Sequence, residues 1–269
     1  MITMVIAVAV ACGGFAALHY GAGAGTGWSV AGGLVAFAAF QAALGIVLRK
    51  KVARDMEKVQ AIMADGQKRL QAKMQRWQLR PPGSIQAAQK EVMDDTRVFV
   101  KEALAQTETL RKYRLWVPMI MRQVATAQLQ LNWMVRDFKK VDELMPKALL
   151  FDPSMVAIKL ARMQMKDAPI EEIRKVYEKG VRRLRYNQNV LLAGCYSWIL
   201  VRRGLVDEAF KALTEALKNS DDATLKANHE HLMNNRVAHF SNSGLGDQWY
   251  SLQLEEPRVR QQRQRPVYR

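Results

Sequence analysis

The stretch Trp28-Ser-Val-Ala-Gly-Gly-Leu-Val-Ala-Phe-Ala-Ala-Phe-Gln-Ala-Ala-Leu-Gly-Ile-Val-Leu-Arg-Lys-Lys51 decides how this chain is organised. Its first part, 28–48, is apolar or small and carries no charge, whereas its last three residues are basic. A membrane-spanning helix requires roughly 20 predominantly apolar residues. The stretch therefore predicts a span that ends at Arg49. No Asp, Glu, Lys or Arg occurs anywhere in the 48 residues before this basic cluster.

A second apolar run, Ile2–Ala17, lies upstream and reaches Tyr20 if its glycines are tolerated, as they often are in membrane helices. A Gly-rich turn, 21–27, separates the two runs, so residues 1–48 predict a transmembrane hairpin. Small residues at four-residue spacing favour close contact between the arms. They are Ala9, Gly13 and Ala17 on the first arm, and Gly32, Ala36, Ala39 and Ala43 on the second.

Two other interpretations of the first run are a cleaved signal peptide and a lipoprotein processing site at Cys12. Secretory signals normally carry a basic residue before their apolar stretch, and none is present here. The hairpin is therefore the preferred interpretation, and Cys12 is expected to be a small residue within the membrane.

Basic residues near the membrane predict the orientation. None lies before the first arm or in the turn, whereas four follow the second arm, namely Arg49, Lys50, Lys51 and Arg54. The positive-inside rule places both termini in the cytoplasm, with only the turn outside. The expected location is the inner (cytoplasmic) membrane. The four residues are predicted to contact anionic lipid headgroups. The net charge of +16 is also compatible with nucleic acid as a partner, but its concentration beside the membrane favours lipid.

Residues 49–80 predict a basic helical stalk. An apolar seam repeats every 3.5 residues, which is typical of a coiled coil. It consists of Val52, Met56, Val59, Met63, Gly66, Leu70 and Trp77, with Lys73 in the remaining place. Either a second copy of the chain pairs with this seam, or the next helix packs on it. Pro81-Pro82-Gly83 ends the stalk, and Ser84 can cap a connecting helix within 84–117.

Helical hairpins recur in the region 118–240. Three stretches share a loop followed by an amphipathic helix: 136–153, 170–181 and 204–218. The small residues near the ends of these helices are Ala148, Gly180 and Ala216, which are separated by 32 and 36 residues. The mean spacing of 34 is the period of tetratricopeptide repeats.

This region resembles the tetratricopeptide-repeat (TPR) family. In one repeat the matching positions are Ser197, Gly204, Ala209, Leu213 and Ala216. In another, Ala148 and Pro153 match, Met145 takes the bulky position, and Val141 replaces an expected alanine. The repeat between them departs most from the pattern, with Ile173, Tyr177 and Gly180. The resemblance implies an all-α protein with an α-solenoid of about three repeats, in which the first helix of each hairpin lines a concave groove that holds a peptide.

The family's groove positions correspond to Gln123, Gln130, Trp133, Gln164, Trp198, Arg202, Asn228, Asn235 and Arg236. Arg202 and Arg236 are 34 residues apart, so the resemblance implies two neighbouring guanidinium groups that grip a C-terminal or acidic carboxylate of a protein partner. The alternatives are that both arginines are solvated or paired with nearby acids, and that Trp133 and Trp198 pack between repeats.

The remaining residues suggest no chemistry. His229 and His231 lie on different sides of a predicted helix, and Cys195 is expected to pack as a small hydrophobic residue. No catalytic residue, metal site or cofactor is predicted. The last region, 241–269, combines a loop, an aromatic patch (Trp249–Leu254) that can fold back on the repeats, and a basic disordered tail.

These features predict a membrane-anchored TPR-like scaffold that recruits a protein partner at the cytoplasmic face of the membrane. Self-association through the stalk or the spans is an additional expectation. The alternative is a basic protein that binds nucleic acid or anionic lipid through its stalk and tail. An enzyme without a recognisable motif is a third class.

Overall fold

A computed structural model describes residues 2–23, 25–79, 83–183 and 189–257. The predicted helix stop at Pro81-Pro82 and the basic tail from Arg258 lie outside these residues. Every regular element within the described residues is helical, and none is a strand. The chain divides into two compact units, Met1–Leu149 and Leu150–Arg269.

The first unit begins with two helices that pack against each other. Helix α1 spans Ile2–Ala16 and continues as a π-helical turn, Ala17–Gly21. Helix α2 spans Thr26–Leu79 without interruption, so the predicted second span and the predicted stalk form one helix of 54 residues. Both helices are long and apolar enough to cross a membrane.

Small residues lie where α1 meets α2, but on α1 they are not the predicted ones. Ala9, Gly13 and Ala17 are exposed, whereas Gly14 lies against Gly33 and Ala36 of α2. A side chain at Gly33 would approach the carbonyl oxygen of Ala11 to 2.8 Å. On α2 the contact uses Gly32 and Ala36 as predicted, whereas Ala39 and Ala43 are exposed. The contact face of α1 is thus rotated by one residue from the predicted one, so that Gly14 and not Gly13 faces α2.

Much of the apolar surface of this hairpin is exposed. Met4, Val5, Leu34, Val35 and Trp28 are each more than 60% exposed. Two helices in contact can cover only one side of each other. The outer faces of the hairpin therefore lack an apolar environment within the described residues.

Beyond Arg49, the apolar seam of α2 packs on the following helix of the same chain. Helix α3 spans Ile85–Glu108 and is capped by Ser84, whose hydroxyl accepts a hydrogen bond from the Ala87 amide at 3.1 Å. Val59 is buried with Phe99 of α3. Of the two interpretations of the seam, packing on the next helix is the one observed.

The two unusual seam residues each have a partner on α3. Gly66 lies against the ring of Phe99, and a Cβ atom at this position would be only 2.4 Å from the ring's Cγ. Lys73 forms ion pairs with Asp95 at 2.5 Å and Glu91 at 2.6 Å. Glycine and lysine therefore fit this antiparallel pairing, although both would weaken a coiled coil between two copies.

Asp55 holds the upper stalk to the short 3₁₀ segment Thr109–Tyr113 that follows α3. Its carboxylate is nearly buried and pairs with Lys112 at 2.8 Å, while the Tyr113 hydroxyl donates a hydrogen bond to it at 3.0 Å. The hydrogen bond from Lys112 is the main reason that the pKa of Asp55 is lowered to about 2.

The first unit ends with helices α4 (Ile120–Met134) and α5 (Phe138–Leu144). Ile120 and Val124 of α4 join a core with Leu110 and Tyr113, and Leu131 joins the core around Phe99. This hairpin therefore belongs with the stalk, whereas the sequence suggested that the repeat region would form a separate domain from residue 118.

The second unit contains two helical hairpins followed by single helices. Their helices are α6 (Pro153–Met165), α7 (Ile170–Val181), α8 (Val190–Arg202), α9 (Val206–Leu217), α10 (Ala223–Met233) and α11 (Asp247–Tyr250). Helix α8 lies at the centre, in contact with α6, α9 and α11. Almost all of its residues are buried.

We expect Gly66→Ala to destabilise the protein, although glycine-to-alanine changes in open helices stabilise by about 0.5–1 kcal/mol. The new methyl group overlaps the Cγ atom of the Phe99 ring, and overpacking of this kind costs about 1–3 kcal/mol. Thermal unfolding of the purified protein in detergent measures the effect. In a Phe99→Ala background the same change should stabilise. A higher Tm for Gly66→Ala alone would contradict the pairing of α2 with α3.

We expect Asp55→Asn to lower stability at pH 7 by about 1–3 kcal/mol, because hydrogen bonds to a charged group are lost. The pKa of Asp55 is depressed from 3.8 to about 2, so its contribution is complete above pH 4 and is lost as the pH falls towards 2. The difference in Tm between the two proteins should shrink over that interval. A constant difference from pH 7 to pH 2 would show that the carboxylate's charge is not what matters.

Candidate functional site

The segment after α10 folds back onto α8. Trp249 on α11 is completely buried, and Leu252 just beyond it is 1% exposed. Trp249 meets Trp198 of α8 edge to face, with ring centroids 5.7 Å apart. The aromatic patch that the sequence suggested could fold back thus lies against the central helix of the second unit.

A buried amide pair fixes the start of this segment. The side chain of Asn242 donates a hydrogen bond to the carbonyl oxygen of Gly194 on α8 at 2.7 Å and accepts one from Asn228 on α10 at 2.8 Å. Asn228 in turn accepts a hydrogen bond from the Ser241 amide at 2.9 Å. Leu245 also packs closely on Gly194, where an added Cβ atom would come within 2.9 Å of its terminal methyl group.

The fold-back brings one carboxylate to the exposed end of α8. Glu255 accepts hydrogen bonds from the indole of Trp198 at 2.8 Å and from the indole of Trp249 at 2.9 Å. Arg202, one turn after Trp198, pairs with the same carboxylate at 3.2 Å. We call these four residues the carboxylate clamp.

The clamp favours a charged carboxylate. Burial alone would raise the pKa of Glu255, but hydrogen bonds from the two indoles and the guanidinium outweigh it, so the pKa lies below its ordinary value. Arg202 also lies over the Trp198 ring, with 5.0 Å between the guanidinium carbon and the ring centroid. A planar cation and two N–H donors therefore surround a single negative charge.

The other predicted groove residues are found in several environments. Trp133 and Asn228 are buried, and Trp133 packs on Phe138. Gln164 is partly buried and accepts a hydrogen bond from Arg203 at 2.8 Å. The exposed members are Gln123, Gln130, Asn235 and Arg236. Among the described residues, Arg236 takes no part in the clamp, and Arg202 is paired with an acid of its own chain, which is the alternative given above for these arginines.

The four basic residues after the second arm, Arg49, Lys50, Lys51 and Arg54, are all exposed. Within the described part of the chain, no ion pair neutralises them, whereas Asp55 beside them is committed to Lys112 and Lys58. They form a positively charged collar around α2 directly after its uncharged part.

The cysteine and the histidines of the second unit are buried or in contact with other side chains. Cys195 is completely buried, which raises the pKa of its thiol. His229 stacks on Phe210, and His231 lies beside His239. Within the described residues, no group of three His, Cys, Asp or Glu side chains is arranged to hold a metal ion.

Sequence reasoning missed Glu255, Trp249 and Asn242 as site residues. Glu255 lies 53 residues after Arg202, and an acid followed by Glu256 and Pro257 looks like a solvated loop. The only available signal was the aromatic patch next to a pair of acids.

No protein-family model, no curated protein and no solved structure matches this chain.

We expect Asn242→Ala to loosen the fold-back segment. The substitution leaves the Gly194 carbonyl and the Asn228 amide without their partner, at a cost of about 1–3 kcal/mol for each buried group. Amide hydrogen exchange in 241–257 should accelerate. Asn234→Ala is the control, because Asn234 is exposed and bonds only within its own helix turn. Equal exchange in both variants would argue against the buried amide pair as the anchor.

Proposed function

We propose that this protein is a membrane-anchored, TPR-like scaffold whose second unit recruits a partner protein through the carboxylate clamp. The hairpin of α1 and α2 holds the chain in the inner membrane, with the repeats on the cytoplasmic side. Confinement to a membrane raises the effective concentration of whatever the repeats bind. No catalytic step is required of the protein in this role.

The membrane part of the proposal is supported by the surface of the hairpin. Its outer faces carry large apolar side chains without cover, and its uncharged part ends at the basic collar. Hydrocarbon satisfies the apolar faces, and the collar is favoured beside anionic headgroups on the cytoplasmic side.

The TPR-like part is supported by the hairpin of α8 and α9. The family's small or apolar positions are buried here, among them Ser197, Ala209 and Leu213. Gly204 in the turn has φ +77°, a conformation that favours glycine. The burial of these residues and the backbone conformation of the turn support the proposed resemblance.

Contact between successive hairpins supports stacking of the repeats. Arg174 on α7 pairs with Glu208 on α9 at 2.5 Å. The second helices of neighbouring repeats meet in this way when hairpins stack. Gly180 on α7 allows similar close packing against Val156 of α6 and Leu192 of α8.

The observation that carries the recruitment proposal is the carboxylate clamp. Trp198 and Arg202 are groove positions of the family pattern, and both already bind a carboxylate, that of Glu255. A partner that presents a glutamate, an aspartate or a free C-terminus matches the same donors. Such a partner must displace Glu255, so the fold-back segment competes with it.

The alternative function, binding of anionic lipid or nucleic acid by the basic stalk, is supported by the exposed collar. The two functions differ in salt dependence, because contacts with a polyanion weaken steeply as salt increases. Contact between the collar and lipid headgroups is compatible with the scaffold function, and we include it in the proposed membrane attachment.

We expect opposite effects from two changes in the clamp. Arg202→Ala should abolish crosslinking to the partner in native membranes, because it removes the cation that grips the carboxylate. Glu255→Gln should increase crosslinking, because the competing charge is gone. Arg182→Ala is the control, as an exposed arginine directly after the second helix of a different hairpin.

A peptide with the sequence of 247–257 provides a direct competitor. It should reduce capture of the partner by the unaltered protein, and a version with Gln at the position of Glu255 should not. The proposal fails if Arg202→Ala captures the same protein as Arg182→Ala does, or if only lipid or nucleic acid is captured.

A further inference from the structure

A groove runs along α2 at the level where its uncharged part ends. Its volume is about 770 Å³, and all of its lining residues belong to the first unit. The walls come from the first residues of α1, from α2 between Phe37 and Ala53, and from the segment Trp116–Pro118. This size lies within the range of ligand pockets, about 300–1,000 Å³.

The groove crosses the expected boundary of the bilayer. From Phe37 to Ala53 a helix rises about 24 Å, and the change from uncharged to basic residues at Arg49 falls within this length. One end of the groove is therefore beside hydrocarbon and the other is beside headgroups. Leu115 and Met119, which flank the lower wall, are about half exposed and suit an interfacial position.

The lining changes character along the groove. Phe37, Leu44 and Leu48 make the upper part apolar. Of the described residues that line the groove, Arg49 is the one that carries a charge, and none is acidic. Gln41 and Gln123 add amide groups that can donate hydrogen bonds to an oxygen anion.

We propose that this groove binds one anionic phospholipid. An acyl chain lies along Phe37, Leu44 and Leu48, and the phosphate pairs with Arg49. The charge of the lining favours an anion, and an amphipathic molecule with its charge at the boundary matches both ends. This inference rests on the membrane attachment proposed above, and it does not depend on the clamp.

The test uses two substitutions within the groove and a matched control for each. Gly45 lines the groove, and no atom lies within 4 Å of the position of an added Cβ, so Gly45→Leu extends a side chain from an open position into the groove. Ala43→Leu adds a larger side chain to an exposed face of the same helix. Arg49→Gln removes the lining charge, and Lys50→Gln removes a neighbouring one that lies outside the groove.

The full-length protein in neutral detergent is titrated with dioleoylphosphatidylglycerol, and native mass spectrometry counts the lipids bound to each chain. One lipid should be retained by the unaltered protein. Arg49→Gln and Gly45→Leu should weaken its binding about fivefold or more, whereas Lys50→Gln and Ala43→Leu should change it by less than about twofold. Dioleoylphosphatidylcholine should bind more weakly than the anionic lipid.

Three results would overturn the inference: equal binding by the groove variants and their controls, equal affinity for the two lipids, or displacement of the lipid by glycerol phosphate alone. Alkaline carbonate extraction of membranes that contain the same protein distinguishes failure of the groove site from failure of the proposed membrane anchor. A protein without the groove site stays in the membrane, whereas a protein without spanning helices is released.

Discussion

Helix α2 changes at Arg49 from an uncharged apolar helix to a strongly basic one, and the rest of the first unit is built around that change. Up to Leu48 it carries no charge and packs mainly on α1, and its exposed apolar outer face is what the proposed membrane span requires. From Arg49 onward it is strongly basic and belongs in water. Because the helix is continuous, both parts share one axis. The elements that follow in the first unit pack on its basic part: Phe99 of α3 contacts Val59, and Leu110, Ile120 and Val124 form a core beside Val52 and Met56.

In water, the seam of α2 must be covered, and α3 covers it. The pairing depends on specific residues: Gly66 makes room for Phe99, Lys73 meets two acids, and Asp55 ties the top of the stalk to Lys112. In the second unit, stability depends instead on the burial of α8 by its neighbouring helices and by the fold-back segment. Burial of the Asn228 and Asn242 amides makes that segment part of the folded unit, and it carries Glu255 into the clamp.

The sequence predicted elements well where a local signal exists. The charge boundary at Arg49, the cap at Ser84 and the helical class all follow from nearby residues. The sequence did not decide between a second copy of the chain and the next helix as the partner of the α2 seam. An apolar seam with a 3.5-residue period is the same in both cases. Adjacent glycines at 13 and 14 could not reveal the rotation of α1, which its contact with Gly33 determines. The clamp was missed for a related reason, since Glu255 and Arg202 meet only through tertiary folding.

Thiol labelling along α2 tests the central claim most directly. In a Cys12→Ser background, where the other native cysteine is completely buried, single cysteines replace Thr26, Val35 and Lys68, all of which are exposed on α2. A membrane-impermeant maleimide should label position 26 from outside intact cells and position 68 only after the membrane is opened, with position 35 protected throughout. Labelling of position 35 in aqueous solution, or of position 68 from outside, would contradict a helix that passes from bilayer to cytoplasm at Arg49.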